Sequence, residues 1–281
     1  MLGVTFLICL ALTWITFAVV QDLRKREIAN WLNFSLIVFA LGFRFFYSLF
    51  STTTNFAFFY QGLLGLAVFF LLGNLLYSVK MFAGGDAKLM IALGTILPFS
   101  VSFIDNLMLF SDFFVIFLFV GALYSIAGSL ALISKNFNGF RKELSKQFGF
   151  HKNLFFIAVL IAVFFLLIGL AIDGVLIYLG ILSFMLPYFY IYSKAVDESC
   201  MIKSVAAKNL TEGDWLYKDV KVGGKTIKAT WNGLRKEEIS LLKKKKKLVL
   251  IRYGIPFSPV FLISFLILIY LWKNGLWSFL F

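Results

Sequence analysis

Two acids stand out in a chain that otherwise makes little use of charge. Asp22 follows an apolar run and opens the stretch DLRKREIANWL. Asp86 follows Gly84 and Gly85 inside FAGGDAK, between the apolar runs 63–79 and 89–104. Ionisable side chains inside or at the edge of a membrane are costly, which makes them candidates for function. Two carboxyls held a few ångströms apart cannot easily both ionise, so one proton is shared and one pKa rises. The ionised partner can then take a proton from water. The protonated one can polarise a peptide carbonyl and later help the amine leave. That is peptide hydrolysis of the aspartic type. The competing reading makes each Asp a helix-end residue or a topology marker.

The neighbours of the two acids sharpen the comparison. Gly84 and Gly85 permit backbone angles that other residues avoid, and they leave room for a substrate backbone. Asp86 is then expected near a helix N-terminus, where the dipole favours negative charge. Lys88 does not face Asp86 along a helix. It is expected to hold the interface or contact lipid phosphate, with substrate contact as the alternative. Around Asp22 the basic triplet Arg24, Lys25 and Arg26 orients the flanking spans, Asn30 is a candidate cap, and Trp31 is a natural interfacial anchor.

The elements that must carry these residues are membrane helices. The chain has 281 residues, is 61% hydrophobic and only 15% charged. A soluble domain is about half apolar and a quarter charged, so this one has too little polar surface to cover itself. Its apolar runs are continuous, which excludes the alternation of a membrane barrel. The expected fold is an all-α polytopic membrane protein of about eight transmembrane helices with a small α+β module. Candidate spans are 3–21, 31–50, 56–79, 87–104, 113–134, 153–172, 175–193 and 254–272. Pro98 and Asp105 are positioned to shorten the fourth.

The first run lacks a basic region before it and a cleavage site after it, and reads as an uncleaved span with its N-terminus outside. The segments 22–30, 80–88, 135–152 and 194–252 are then cytosolic. They hold or adjoin every Lys and Arg except Arg44 and Lys273, while Asp105, Asp112 and Asp173 fall in outer loops. This satisfies the positive-inside rule. It also brings Asp22 and Asp86 to one membrane depth, at the cytosolic rim.

The expected domains are a transmembrane catalytic bundle over 1–193, a cytosolic basic module over 194–252, and a C-terminal transmembrane helix over 253–281. The module contains a hairpin turning at Gly223-Gly224, then a helix capped by Asn232. The lysines 243–247 hold the following helix at the membrane surface. The net charge of +13 lies almost wholly on one face. It suits anionic lipid headgroups and, without a recognisable module, does not point to nucleic acid. Cys9 and Cys200 form no CxxC pair and read as free thiols. His151 is the single histidine. No metal and no cofactor are expected.

The two stretches resemble the type IV prepilin peptidases, membrane aspartic proteases of the GxGD type, and among them the archaeal preflagellin and prepilin peptidases most. In that family the first motif is an Asp, a basic stretch, then I-P-N. Here it is DLRKREIANWL, with Asp22 as the acid and Asn30 as the motif asparagine. The second is GxGDxK before an apolar helix. Here it is AGGDAKLMIALG, with Asp86 as the acid, Gly84 and Gly85 before it, and Lys88 as the lysine. Ala83 replaces the first Gly, and Ala29 replaces the Pro. The segment Gly254 to Phe257 resembles the GIPF-type turn into the last helix of archaeal members. The resemblance implies catalytic Asp22 and Asp86. The implied substrates are archaellin or pilin-like precursors carrying a short basic leader, cut at the cytosolic face of the cell membrane. Bacterial members often carry a cysteine-rich zinc loop and an N-methyltransferase activity. That loop is absent here, which implies a peptidase alone.

The main alternative is an ion- or proton-coupled transporter using the membrane-edge aspartates, which predicts internal repeats and broken helices. A presenilin-like protease would carry a YD motif and a Pro-Ala-Leu motif. Here Gln21 precedes Asp22 and no Pro-Ala-Leu occurs. A silent membrane scaffold is the third alternative.

Overall fold

The computed structural model describes residues 2–50, 56–245 and 248–276. The first helices are α1 (Leu2–Lys25), α2 (Asn30–Phe50), α3 (Ala57–Ser78), α4 (Gly84–Leu93) and α5 (Phe103–Lys135). They are followed by α6 (Phe137–Phe150), α7 (Lys152–Ala171), α8 (Val175–Cys200), α9 (Lys236–Lys245) and α10 (Ser258–Lys273). Between α8 and α10 lie the strands β1 (Ile202–Ala206), β2 (Trp215–Leu216), β3 (Val220–Val222), β4 (Lys225–Ile227) and β5 (Leu248–Arg252). The chain is a polytopic helical membrane protein. Among the described residues, six helices are long and apolar enough to cross a bilayer, and α10 is a shorter apolar one. Two compact units are present, Met1–Ser125 with Pro256–Phe281, and Ile126–Ile255.

The first unit packs small residues against large ones. On α1, Leu7, Ala11, Ile15 and Ala18 recur at helical spacing and are fully buried, and α1 lies against α2 and α10. Outward residues such as Phe34, Val38, Phe46 and Leu49 are exposed and apolar, as a lipid-facing surface requires. On α3, Gly65 and Gly73 let the α4 region approach closely. A methyl at Gly65 would overlap the Gly94 carbonyl, and one at Gly73 would press on Ile91 and the Ala87 carbonyl.

The two connections that lead into α2 and α4 leave their helices in the same way. Arg26 takes φ +56° and Lys80 takes φ +63°. The Arg26 N–H donates to the Asp22 carbonyl at 2.8 Å, and the Met81 and Lys80 amides donate to the Leu76 and Tyr77 carbonyls at 2.9 and 3.0 Å. These are left-handed C-terminal caps built on basic residues instead of glycine.

In the second unit α7 and α8 form a hairpin, with Asp173 Oδ1 accepting the Val175 N–H at 3.0 Å. Phe140 of α6 meets Tyr192 of α8 edge-on, with ring centroids 5.8 Å apart. The strands β1 and β2 flank β5 in an antiparallel sheet, and β3 pairs with β4. Gly223 and Gly224, both at positive φ, turn that hairpin as its sequence demands. Leu216, Val222, Ile227, Leu234, Leu242 and Ile251 make its separate core.

Several sequence expectations need correction. The fourth span, expected over 87–104, is the ten-residue α4. It is too short to cross a bilayer alone, because Gly94 and Pro98 end it early. Asp105 sits in the first turn of α5, and Asp112, expected in an outer loop, is buried within that helix. The segment 135–152, expected only as a cytosolic stretch between spans, holds α6, whose Phe140, Leu144 and Phe148 share one helical face. Asn232 does not cap α9; the Glu238 carboxylate accepts the Arg235 N–H at 2.8 Å just before the helix. Lys246 and Lys247 of the lysine run lie outside the described residues.

Candidate active site

Asp22 occupies the last turn of α1 and is buried. Its Oδ2 accepts the backbone N–H of Ser258 at 3.1 Å. Ser258 is the first residue of α10, with Pro259 next. The first N–H groups of a helix have no intrahelical partner. One of them here meets a carboxylate oxygen, at the end of the helix where the dipole favours negative charge.

Asp86 is the third residue of α4 and is half-buried. Ala83 precedes the helix in an extended conformation, with ψ 160°. Its N–H hydrogen-bonds the Asp86 carboxyl, the return arm of a capping box. Burial, and then the neighbouring Asp22 carboxyl, push the Asp86 pKa up to about 7 against the smaller effect of the Ala83 N–H. Asp86 lies outside the six long spans, at the mouth of the short helix.

The other residues singled out by the sequence gather around this pair. Lys88 Nζ donates to Asn30 Oδ1 at 2.6 Å, joining the second turn of α4 to the first turn of α2. The side chain of Asn30 therefore serves α4, and the turn before α2 is closed by Gln21 Oε1, which accepts the Ala29 N–H at 3.1 Å. The two glycines differ. A Cβ at Gly85 would stand 3.3 Å from the Ile28 Cβ, so its clearance is occupied by the α1–α2 turn. A Cβ at Gly84 would meet only the Tyr77 ring, at 3.9 Å.

Three residues near the acids were missed in the sequence. Asn33 is 1% exposed, reaches the Gly85 carbonyl at 3.5 Å, and leaves its Oδ1 without a partner. Its signal was a polar residue one turn beyond Asn30 on an apolar helix. Tyr124 of α5 lies within electrostatic reach of Asp22 and Arg26. Ser258 contributes through its backbone, which carries no side-chain signature at all.

The arrangement offers two carboxyls, one fixed by a helix N-terminus and one, its pKa raised, on the first turn of another helix. A water between them and a carbonyl in front of them are what such a pair can act on. A protein-family model described as the type IV leader peptidase family matches residues 9–131, which include both acids. No curated protein and no solved structure matches the chain.

Proposed function

The chain belongs over residues 9–131 to the type IV leader peptidase family, and we propose that Asp22 and Asp86 are its catalytic pair. Their convergence at the ends of α1 and α4, with Asp22 held on the α10 N-terminus, is the observation that supports this reading. Asp86, with its raised pKa, is the acid that holds the shared proton. Asp22 takes a proton from water as the water oxygen attacks the scissile carbonyl carbon. Asp86 gives its proton to the carbonyl oxygen. The tetrahedral intermediate collapses as the C–N bond breaks: the amine leaves with the proton that Asp22 accepted, and one hydroxyl of the intermediate returns its proton to Asp86, which leaves a carboxylic acid and the starting pair.

The proposed substrates are archaellin or pilin-like precursors with a short basic leader before an apolar helix. The cut falls at the cytosolic membrane face, a reading supported by the basic residues clustered beside the ends of α1 and α4. No N-methyltransferase activity accompanies it. Lys88 and Asn30 hold α4 against α2, and the open side at Gly84 is where an extended substrate backbone passes.

The transporter reading meets a specific obstacle. Its broken helix would offer free carbonyls to an ion. At the end of α4 the carbonyls of Thr95, Ile96 and Pro98 are all taken by Arg44.

The direct test mixes membranes containing this protein with a tagged archaellin or pilin precursor. Loss of the leader appears as a small mass shift. It should vanish with Asp22→Asn and with Asp86→Asn while both variants still accumulate in the membrane. Near-normal cleavage by either variant would overturn the assignment.

A further inference from the structure

Arg44 is one of two basic residues that the charge segregation leaves unexplained, and it is fully buried within α2 with no acid bonded to it among the described residues. A buried guanidinium is costly unless every donor is used. Here Nε donates to the Thr95 carbonyl at 2.8 Å, Nη1 to Phe58 at 2.8 Å, and Nη2 to Ile96 at 3.1 Å and Pro98 at 2.6 Å. The guanidinium also lies over the Phe58 ring, 4.3 Å from its centroid. Gly62 makes room for it, since a Cβ there would collide with the Arg44 side chain.

The acceptors are the point of interest. After Leu93 the backbone tightens into i→i+3 bonds, with the Gly94, Thr95 and Ile96 amides donating to the Ile91, Ala92 and Leu93 carbonyls. The carbonyls that follow have no helical turn after them to bond. In a bilayer such groups must be satisfied within the protein. Three of them meet one planar, forked cation, and that cation stands at the C-terminal end of α4, where the helix dipole favours positive charge. The helix is only about 15 Å long at 1.5 Å per residue. Its other end carries Asp86.

We infer that Arg44 is a positioning residue for Asp86: it pins the far end of α4 and so fixes how far the first turn of that helix reaches toward Asp22. This rests on the catalytic pair proposed above. This short helix packs on α3 through glycines and buries Leu89, Met90 and Leu93 in the core, but neither contact caps its C-terminal end. The Arg44 fork supplies the stop at one end, and the Lys88–Asn30 bond holds the other.

The test reads the position of α4 separately from cleavage. In a chain carrying Cys9→Ser and Cys200→Ser, the pair Ile28→Cys and Gly85→Cys is introduced. The 3.3 Å between the Ile28 Cβ and a Cβ at Gly85 puts the two thiols in disulfide reach. Closure under mild oxidation is followed by loss of maleimide labelling. Added Arg44→Gln should slow closure roughly tenfold or more, and in the otherwise native chain it should lower kcat for leader cleavage by a similar factor with KM little changed. Arg44→Lys, keeping the charge without the fork, should fall between. Gly62→Ala, which displaces the Arg44 side chain, should act in the same direction as Arg44→Gln. Closure at the parental rate in the accumulated Arg44 variants overturns the inference. If Arg44→Gln does not accumulate, Arg44→Lys and Gly62→Ala decide by the same measure. If the parental protein removes no leader, the catalytic reading fails, and the closure rates still settle the role of Arg44.

Discussion

Lys88 and Asn30, from the two separate motif stretches, are joined by a 2.6 Å bond from an ammonium to an amide oxygen. The bond links the helix that carries Asp86 to the turn that follows Asp22. Charge-assisted bonds of this kind contribute about 1.5–3 kcal/mol when dry and less at an exposed site. Asn30 is exposed and Lys88 half-buried. Lys88→Met and Asn30→Ala are each expected to slow leader cleavage about fivefold, corresponding to about 1 kcal/mol. The double variant should be no slower than either single one, because both remove the same bond. A double-mutant cycle on cleavage rates checks this, and simple additivity would separate the two residues.

The raised pKa of Asp86 carries a pH prediction with a definite sign. Its proton is needed on the scissile carbonyl oxygen, and the acid form persists up to about pH 7. Above that the proton is lost and the cleavage rate should fall, approaching tenfold per pH unit at the top of the range. The measurement is the pH profile of kcat for leader removal in membranes. A rate that keeps rising through pH 9 would assign the acid role elsewhere.

Gly84 and Gly85 should respond oppositely to alanine. Gly84 faces open space, and alanine there suits the first turn of a helix, so thermal stability should be unchanged or raised by up to about 1 kcal/mol. Gly85 is tight against Ile28. Alanine there should forfeit that gain and displace the first turn of α4, with a loss of cleavage that outweighs any change in melting temperature. Thermal unfolding in detergent, run beside the cleavage assay, separates the two effects.

Lys80 offers a stability test away from the chemistry. It is exposed and holds φ +63°. A non-glycine residue there costs roughly 1–2 kcal/mol, of which glycine recovers part after its own entropy loss. Lys80→Gly is therefore expected to stabilise the protein by up to about 1 kcal/mol and to leave the pH profile of cleavage where it was. A lower melting temperature would mean that the lysine side chain holds something more than the turn.

The membrane class, most of the spans and the two candidate acids were legible because each leaves a local trace: a continuous apolar run, a charge in the wrong place, a double glycine. The hairpin at Gly223-Gly224 was legible for the same reason. The end of α4 was not, because Leu93, Ile96 and Leu97 continue the apolar run past the point where Gly94 and Pro98 stop the helix. What closes that break is Arg44, some fifty residues earlier in the chain at a separation of 51 from Thr95. Its only trace was that it broke the charge segregation. The α6 helix was hidden by its own lysines, which marked only a basic segment between spans although Phe140, Leu144 and Phe148 kept helical spacing. The donor to Asp22 left no trace at all, since a backbone N–H has no residue type.

That donor has a consequence for how the molecule comes into being. Asp22 and Ser258 are 236 residues apart. At roughly 5–20 residues per second, a ribosome that has made the first helix works on for about 12–47 s before it makes the last. Throughout that interval Asp22 has no α10 to rest against, however well the helices in between have assembled. A nascent chain, or one truncated before Ser258, lacks a group that holds its first acid in place. Maturation of this centre is thus tied to completion of the polypeptide.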